Sequence, residues 1–558
     1  MSGPLRKTQR APRSCTMCSR RKVKCDKVIP CTNCIRRNQP AACVRETVLI
    51  RGEEITYPHD AQVPTYRELS SENQRLRNEL DVLRAQASAE STTSVEESLR
   101  TLSTSSRRRT LLGTAQGSLE KRLWDDCASS ANGSCVASWN DIILPSRETS
   151  EHLISFDQTW NSWVHYAIEY PQMSDECDGF LHSLEQGTLV HHADPAWLAV
   201  YFSILSSAAL MISEEDSQSI LPDPKGLSRN WYDAAIFCLH RADFMRVASI
   251  RSVQAIAILG MSFNNWGDLN LGQHMWGCAL RIAQQLGLNT MYSEQAEKCL
   301  SEEGQHRLWW TLVICDWLNL MDRPLGIDDI DFNVPYPAPP LIDGNLADSE
   351  HPVHYHTFMA RSATVLYNFR KRIRSGPATL AEKAQIVRSA DEELAKIIET
   401  LPTHLQPDSH TNEHEDWLNR LECDKPWIKW QRFDLTFVLF HLRLLINRTL
   451  SDLWTTPSGE TMFGWARTVC LRSALSAIWI NKNWDEPASS RKQWALSYHI
   501  FTAAIFLLGE CESDIDGISE EYLDAVRTAL QLLEEVSSQN AVAHHASLII
   551  RENLQLLV

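Results

Sequence analysis

From about residue 120 onward, apolar residues recur every three or four positions, the interval that lines one face of a helix, and strand-like alternation is rare. The clearest runs are WLAVYFSILSSAALM, VQAIAILGMSFNNW, MWGCALRIAQQLGL, HRLWWTLVICDWLNLM, FDLTFVLFHLRLLINRTL and EYLDAVRTALQLLEEV. The pattern predicts an all-α body over residues 120–558. Its longest uncharged run, residues 195–213, is near the lower limit for crossing a bilayer, but four serines interrupt it and helical segments surround it. A buried core helix is the expected outcome, and no membrane partner is expected.

Upstream the pattern changes twice. Residues 88–119 are rich in Ser and Thr and read as a disordered linker. The run Arg107, Arg108, Arg109 in it fits either an import signal or a solvated linker. Residues 66–87 carry a short heptad pattern: Tyr66, Asn73 and Leu80 at a positions, Leu69, Leu76 and Leu83 at d. The capping box Thr65-x-x-Glu68 starts this helix. Glu72 and Glu79 at g face Arg77 and Arg84 at e′ of a parallel partner, and Asn73 at an a position selects the in-register dimer at a cost in stability. Leu69, Asn73, Leu76, Leu80 and Leu83 are therefore the candidate dimerisation residues. Residues 44–65, polar and containing Pro58 and Pro64, read as a linker.

Charge is segregated along the chain. The formal net charge of the 558 residues is −16, yet residues 1–51 hold thirteen Lys or Arg against only Asp26 and Glu46, a net of +11 that leaves −27 for the remainder. A basic head on an acidic body points to an anionic partner for the head alone. Residues 1–14 form a basic tail.

Six of the sixteen cysteines fall within the first 43 residues, as Cys15, Cys18, Cys25, Cys31, Cys34 and Cys43. Zinc prefers four tetrahedral ligands, and a C-x2-C turn brings two sulfurs to one ion at about 2.3 Å. Two such sites need eight sulfur positions, so six cysteines suffice when two sulfurs serve both ions. Two Zn²⁺ with six thiolates carry −2, which makes Arg20, Arg21, Lys22, Lys24 and Lys27 electrostatically tolerable beside them. The other ten cysteines lie in apolar helical patterns and read as reduced core thiols.

The stretch CTMCSRRKVKCDKVIPCTNC resembles the fungal binuclear zinc cluster transcription factors, with the basic run between second and third cysteines, Asp26 after the third and Pro30 before the fourth. The resemblance implies that Cys15 and Cys31 bridge two zinc ions. It also implies that Arg20, Arg21, Lys22 and Lys24 form the DNA-binding set, with Arg21 and Lys22 reaching base edges of a CGG triplet in the major groove. It further implies double-stranded DNA and the transcription machinery as partners, a homodimer, a metabolic or secondary-metabolite gene set, and the nucleus. Residues 276–288 (WGCALRIAQQLGL), Arg307 to Trp310, Asp316, the RPLGI segment at 323–327, Asp329, Asp331 and Val334-Pro335 resemble the family's helical regulatory region. His306 stands where the family usually has a second arginine, and Asp322 where it has glycine.

Rival readings were weighed. The body has no G-x-G-x-x-G, P-loop, G-x-S-x-G or H-E-x-x-H, so a catalytic site is not expected, and a ligand-sensing or enzymatic body is the alternative. A head that binds RNA or acidic proteins is a third class. His191-His192, His351/His354/His356 and His544-His545 read as surface or loop histidines. Trp160, Trp163, Trp231, Trp266, Trp276, Trp309 and Trp310 read as core before they read as an effector pocket. Residues 510–524, with seven acidic side chains and no basic ones, fit an activation segment or a helix-connecting loop equally well.

Overall fold

The computed structural model describes residues 14–25, 31–37, 39, 42–44, 48–50, 53–55, 111–130, 133–213, 220–291, 299–319, 324–339, 341–342, 345–346, 350–406, 415–454, 457–483, 491–513 and 519–557. The heptads over 66–87, the run Arg107 to Arg109 and most of both linkers lie outside the described residues. The chain divides into two compact units, residues 1–74 and 75–558. The larger is all-α apart from a two-residue antiparallel pairing of Leu341–Ile342 with Asn345–Leu346.

At its centre is the helix Pro195–Met211. Asp194 caps it by accepting from the Ala196 N–H (3.1 Å), and Pro195 occupies the first turn, where no N–H is needed. Every residue from Ala196 to Leu210 is buried, because helices Arg147–Trp160, Pro224–Arg241 and Ile250–Leu259 all pack on it. The serines that broke its apolar run are satisfied inside this core. Ser203 bonds back to the Ala199 carbonyl (2.6 Å), while Ser206 and Ser228 each donate to the other's carbonyl at 2.9 Å.

A second central helix, Trp494–Ser513, packs against Pro457–Asn483, Glu520–Val536 and Ala541–Leu557. Its window Trp494–Cys511 is long and apolar enough to cross a membrane, but 89% of that window is buried within the protein, as befits a core helix. Asn265 ties the two halves of the body together. Its side-chain amide donates to the carbonyls of Lys492 (2.6 Å) and Gln539 (3.1 Å), its Oδ1 accepts from Trp494 N, and its own carbonyl accepts from Ala541 N.

The scattered pieces that resemble the regulatory region converge on helix Glu302–Trp317. Asp316 accepts from Gly326 N (3.0 and 2.9 Å) and Ile327 N (3.0 Å), Trp317 donates to the Ile327 carbonyl, and Trp310 donates to the Pro335 carbonyl. A Cβ at Gly326 would stand 3.0 Å from Leu280 Cδ1 and 3.3 Å from Asp316 Oδ1, so a side chain there would crowd both.

Two boundaries differ from the sequence reading. Helix Leu111–Ser129 begins inside the segment read as linker, because Gln116 and Leu123 are buried and Arg448 donates to Glu120 at 3.0 Å. Val48–Ile50 pairs antiparallel with Glu53–Ile55 inside the other linker, with Ile50 opposite Glu53, so two residues join the strands. The acidic segment starts within a packed helix, where Glu510 accepts from Arg467 at 2.6 Å, and ends within helix Glu520–Val536. Residues 514–518 lie outside the described residues.

Removing the Asn265 amide takes the side-chain donor from the Gln539 carbonyl, at about 1–3 kcal/mol, while the Lys492 carbonyl keeps Asn540 Nδ2 at 3.0 Å. Asn265→Ala should therefore lower the urea midpoint of the helical body, followed by far-ultraviolet circular dichroism, by an amount equivalent to at least that range. A loss under about 0.5 kcal/mol, typical of a surface change, contradicts the tie.

Candidate metal centre and nucleic-acid interface

The smaller unit has almost no apolar interior. Its buried cluster is the six cysteines, with Met17 partly packed against them, while Val23, Ile35 and Val44 are exposed. Two short helices, Thr16–Arg21 and Thr32–Arg36, each follow a cysteine at the N-cap, Cys15 and Cys31. This places the second cysteine of each C-x2-C pair, Cys18 and Cys34, one turn into its helix, beside the first.

The sulfurs form two groups of four. Cys15, Cys18, Cys25 and Cys31 lie within 4.8 Å of one another, and so do Cys15, Cys31, Cys34 and Cys43. The pairs Cys15–Cys31 and Cys15–Cys34 are 3.8 Å apart and Cys18–Cys31 3.5 Å. These separations far exceed the ~2.05 Å of a disulfide. They match the edge of a sulfur tetrahedron, ~3.8 Å for zinc–sulfur bonds of ~2.3 Å. Among the described residues, no other group of His, Cys, Asp or Glu meets the same closeness criterion. The donor set therefore fits two tetrahedral zinc ions, with Cys15 and Cys31 common to both groups.

The electrostatics single out the same two residues. Burial raises the Cys15 thiol, but the Cys18 N–H and hydrogen bonds from Cys43, Cys18 and Cys34 outweigh it and bring it down to about 6. Cys31 is also lowered, against burial, by the Cys34 N–H and by Cys18, Cys34 and Cys43. Cys18, Cys34 and Cys43 are raised, burial being the first cause. The two thiols common to both groups are the two whose surroundings shift them towards the thiolate.

The basic residues gather at the end of the first helix. Arg20, Lys22 and Lys24 are exposed, whereas Arg21 is half-buried and donates to Gln39 Oε1 at 2.6 Å. Lys22 caps the helix in the left-handed conformation (φ 52°, ψ 41°), its N–H reaching the Cys18 and Ser19 carbonyls while Val23 N reaches Cys18 O at 3.1 Å. Glycine usually fills that position, because a side chain there is strained. Thr16 holds Val44 by backbone and hydroxyl bonds to its carbonyl, and Asn33 donates to the Lys24 carbonyl, which closes the head on itself. The Gln39, Asn33 and Val44 contacts escaped the sequence reading, since no spacing rule points to them.

The histidine clusters do not meet as ligands. His191 and His192 stack edge to face at 4.5 Å, as do His544 and His545 at 5.1 Å. His356 is a core residue rather than a surface one: it is buried, stacked on Tyr166 and bonded to Thr311. Of the seven tryptophans, Trp163, Trp231, Trp309 and Trp310 are buried in the core.

Comparison with known proteins agrees with this geometry. Residues 13–49 match the fungal Zn(2)-Cys(6) binuclear cluster domain, and residues 156–422 match the fungal specific transcription factor domain. The agnestins biosynthesis cluster transcription factor of Paecilomyces divaricatus is 22% identical, over 99% of this chain and 86% of that protein. The transcriptional regulator AacuB of Aspergillus aculeatus is 23% identical over 54% of this chain and 48% of its own length. The K. lactis CBF3 core shares the fold, with a TM-score of 0.52, 13% identity and coverage of 80% of this chain and 90% of that one. The agnestins cluster factor and AacuB are regulators of transcription, which speaks against an enzymatic body. With a two-zinc cysteine head followed by the helical domain that accompanies it, the chain belongs to the fungal binuclear zinc cluster transcription factors, DNA-binding proteins whose head binds two zinc ions.

Proposed function

We propose that the head reads CGG-type half-sites as a homodimer in the nucleus, where family members act, and that the chain regulates a set of metabolic or secondary-metabolite genes. The observation that carries the first part is the pair of sulfur tetrads sharing Cys15 and Cys31, which fixes the Lys22 turn and presents Arg20, Lys22 and Lys24 outward. Supported this way, a short helix can offer base-contacting side chains to the major groove at little further ordering cost. In this reading Cys15, Cys18, Cys25 and Cys31 hold one zinc, and Cys15, Cys31, Cys34 and Cys43 the other. The gene set is supported by the agnestins cluster relative, and the dimer by the heptads of residues 66–87.

Zinc stands in for the missing apolar core, and structural zinc supplies ~10–16 kcal/mol in modules of this size. Purified protein should contain two zinc ions per chain by plasma mass spectrometry. Cys31→Ala, or chelation, should unfold residues 15–43 and abolish DNA binding while the helical body keeps its circular dichroism signal. A head that keeps its dispersed amide spectrum in excess chelator would overturn the assignment.

Lys22 separates conformation from recognition. Lys22→Gly relieves the left-handed strain, so the head should be at least as stable, yet binding to a CGG duplex should weaken by about 1–3 kcal/mol with relaxed preference at the guanines. Lys22→Ala should lose the same affinity without the relief. An unchanged selected-site logo for both variants would remove Lys22 from base readout.

Dimerisation is tested by Leu76→Pro, which breaks any helix through the heptads. It should leave single-triplet affinity intact and lower affinity for the two-triplet site by tenfold or more. Full affinity for the two-triplet site would mark a monomeric reader.

A further inference from the structure

The helical body holds a partly open cavity of about 590 Å³, within the ~300–1,000 Å³ span of small-molecule sites. Its walls come from the helices Leu269–Gln285, Glu302–Trp317, Val353–Arg374, Trp427–Asn447 and Trp494–Ser513, and are mainly apolar, with Leu280, Ile314, Met359, Val438 and Trp494 among them. The Cys315 thiol shows that the space is interior. Burial pushes it up to about 12, yet the side chain keeps free surface, which is cavity wall rather than protein exterior.

The polar groups on this wall are unbalanced. Among the described residues no Lys, Arg or Glu lines it, and its acids are Asp316 and Asp434. The Asp316 carboxylate is occupied by the Gly326 and Ile327 N–H groups. Asp434 accepts at Oδ2 from the Tyr355 hydroxyl (2.5 Å), and its Oδ1 has no partner among the described residues. Burial raises this carboxyl to about 6, the Tyr355 bond opposing it.

Two imidazoles hold further acceptors behind the wall. The Thr502 hydroxyl donates to the His499 carbonyl (2.9 Å), so at 3.2 Å it must accept from His441 Nδ1–H, which leaves buried Nε2 bare. Likewise the Thr311 hydroxyl is given to the carbonyls of His165 and Arg307. His356 Nε2–H therefore donates to Thr311, and buried His356 Nδ1 is bare. Burial depresses both rings, His356 to about 3, so they are neutral at physiological pH. Asp434 Oδ1 is thus the acceptor the wall offers, while His441 Nε2, His356 Nδ1, His499 Nδ1 and Trp276 Nε1 are unpaired but buried behind it. A buried acceptor left this way is costly, and a ligand that supplies a donor relieves the cost.

The geometry points to a binding site for a largely apolar small molecule that brings a hydrogen-bond donor, an amine or a phenolic hydroxyl, to Asp434, with the neutral rings of His441 and His356 as neighbouring wall. A carboxylate-bearing molecule is disfavoured by the same wall, which offers it no cation.

The test uses the full chain and three probes: N-phenyl-1-naphthylamine, 4-phenylphenol and biphenyl-4-carboxylate, each titrated by calorimetry. At least one of the two donor probes should bind saturably, one per chain, and raise the melting temperature, and the carboxylate at least tenfold more weakly. Which donor probe wins identifies the donor type. Asp434→Asn should weaken the winning probe about tenfold, as loss of a hydrogen bond to a charged group does. Cys315→Phe, which fills the space, should abolish binding in a protein that still melts cooperatively. Cys31→Ala must leave binding unchanged, so a failed zinc head and a failed cavity site are told apart. No saturable binding of either donor probe to folded protein, equal binding of the carboxylate, or indifference to Asp434→Asn would overturn the proposal.

Discussion

A thirty-residue segment without aliphatic core holds one shape only if something other than apolar burial closes it. In this head the closure is sulfur held around metal. Six thiolates must serve eight coordination positions, so two must be shared, and the sulfur positions name Cys15 and Cys31 for that role. Both sit at helix N-caps, and at Cys15 the Cys18 N–H donates to the sulfur at 3.3 Å and favours its thiolate. From this constraint follow the paired short helices, the left-handed turn at Lys22 and the outward setting of the basic residues. Strain at Lys22 is sustained because the surrounding bonds over-determine it.

The helical body obeys another rule, in which packing decides and polar groups are admitted where they are satisfied. Ser206 and Ser228 answer one another across two helices, and Asn265 is shared by two backbone segments from the other end of the chain. Asp434, His441 and His356 break that rule together in one place, around a space that nearby side chains do not fill. A cavity of this size with unanswered acceptors in and behind its wall costs stability. That cost is the reason to assign it a ligand rather than a packing fault.

Legibility from sequence tracked how local each signal is. Cysteine spacing is a local rule of coordination chemistry, and it located the head. Helical periodicity located most of the body for the same reason. What escaped was decided by distant partners or masked by composition. Arg21 meets Gln39 through the fold of the head, and nothing in the basic run announces it. The helix Leu111–Ser129 was hidden by Gly113, Gly117 and neighbouring Ser and Thr, and it is held by Glu120 pairing with Arg448, more than three hundred residues away. The short pairing of Val48–Ile50 with Glu53–Ile55 was signalled only by Gly52 between two short runs. The cavity was out of reach as well, since of the seven tryptophans considered only Trp276 lines it, while Asp434 and His441 sit in a run whose apolar periodicity signals a core helix and nothing more.

The sharing of two thiolates is tested most directly by zinc K-edge X-ray absorption on the fully loaded protein. The account predicts a first shell of four sulfurs per zinc at ~2.3 Å with no nitrogen or oxygen, and a zinc–zinc vector no longer than ~4.6 Å, the limit when one sulfur touches both ions. A mixed sulfur and nitrogen shell, or sulfur-only zinc with no metal neighbour inside that distance, would contradict it.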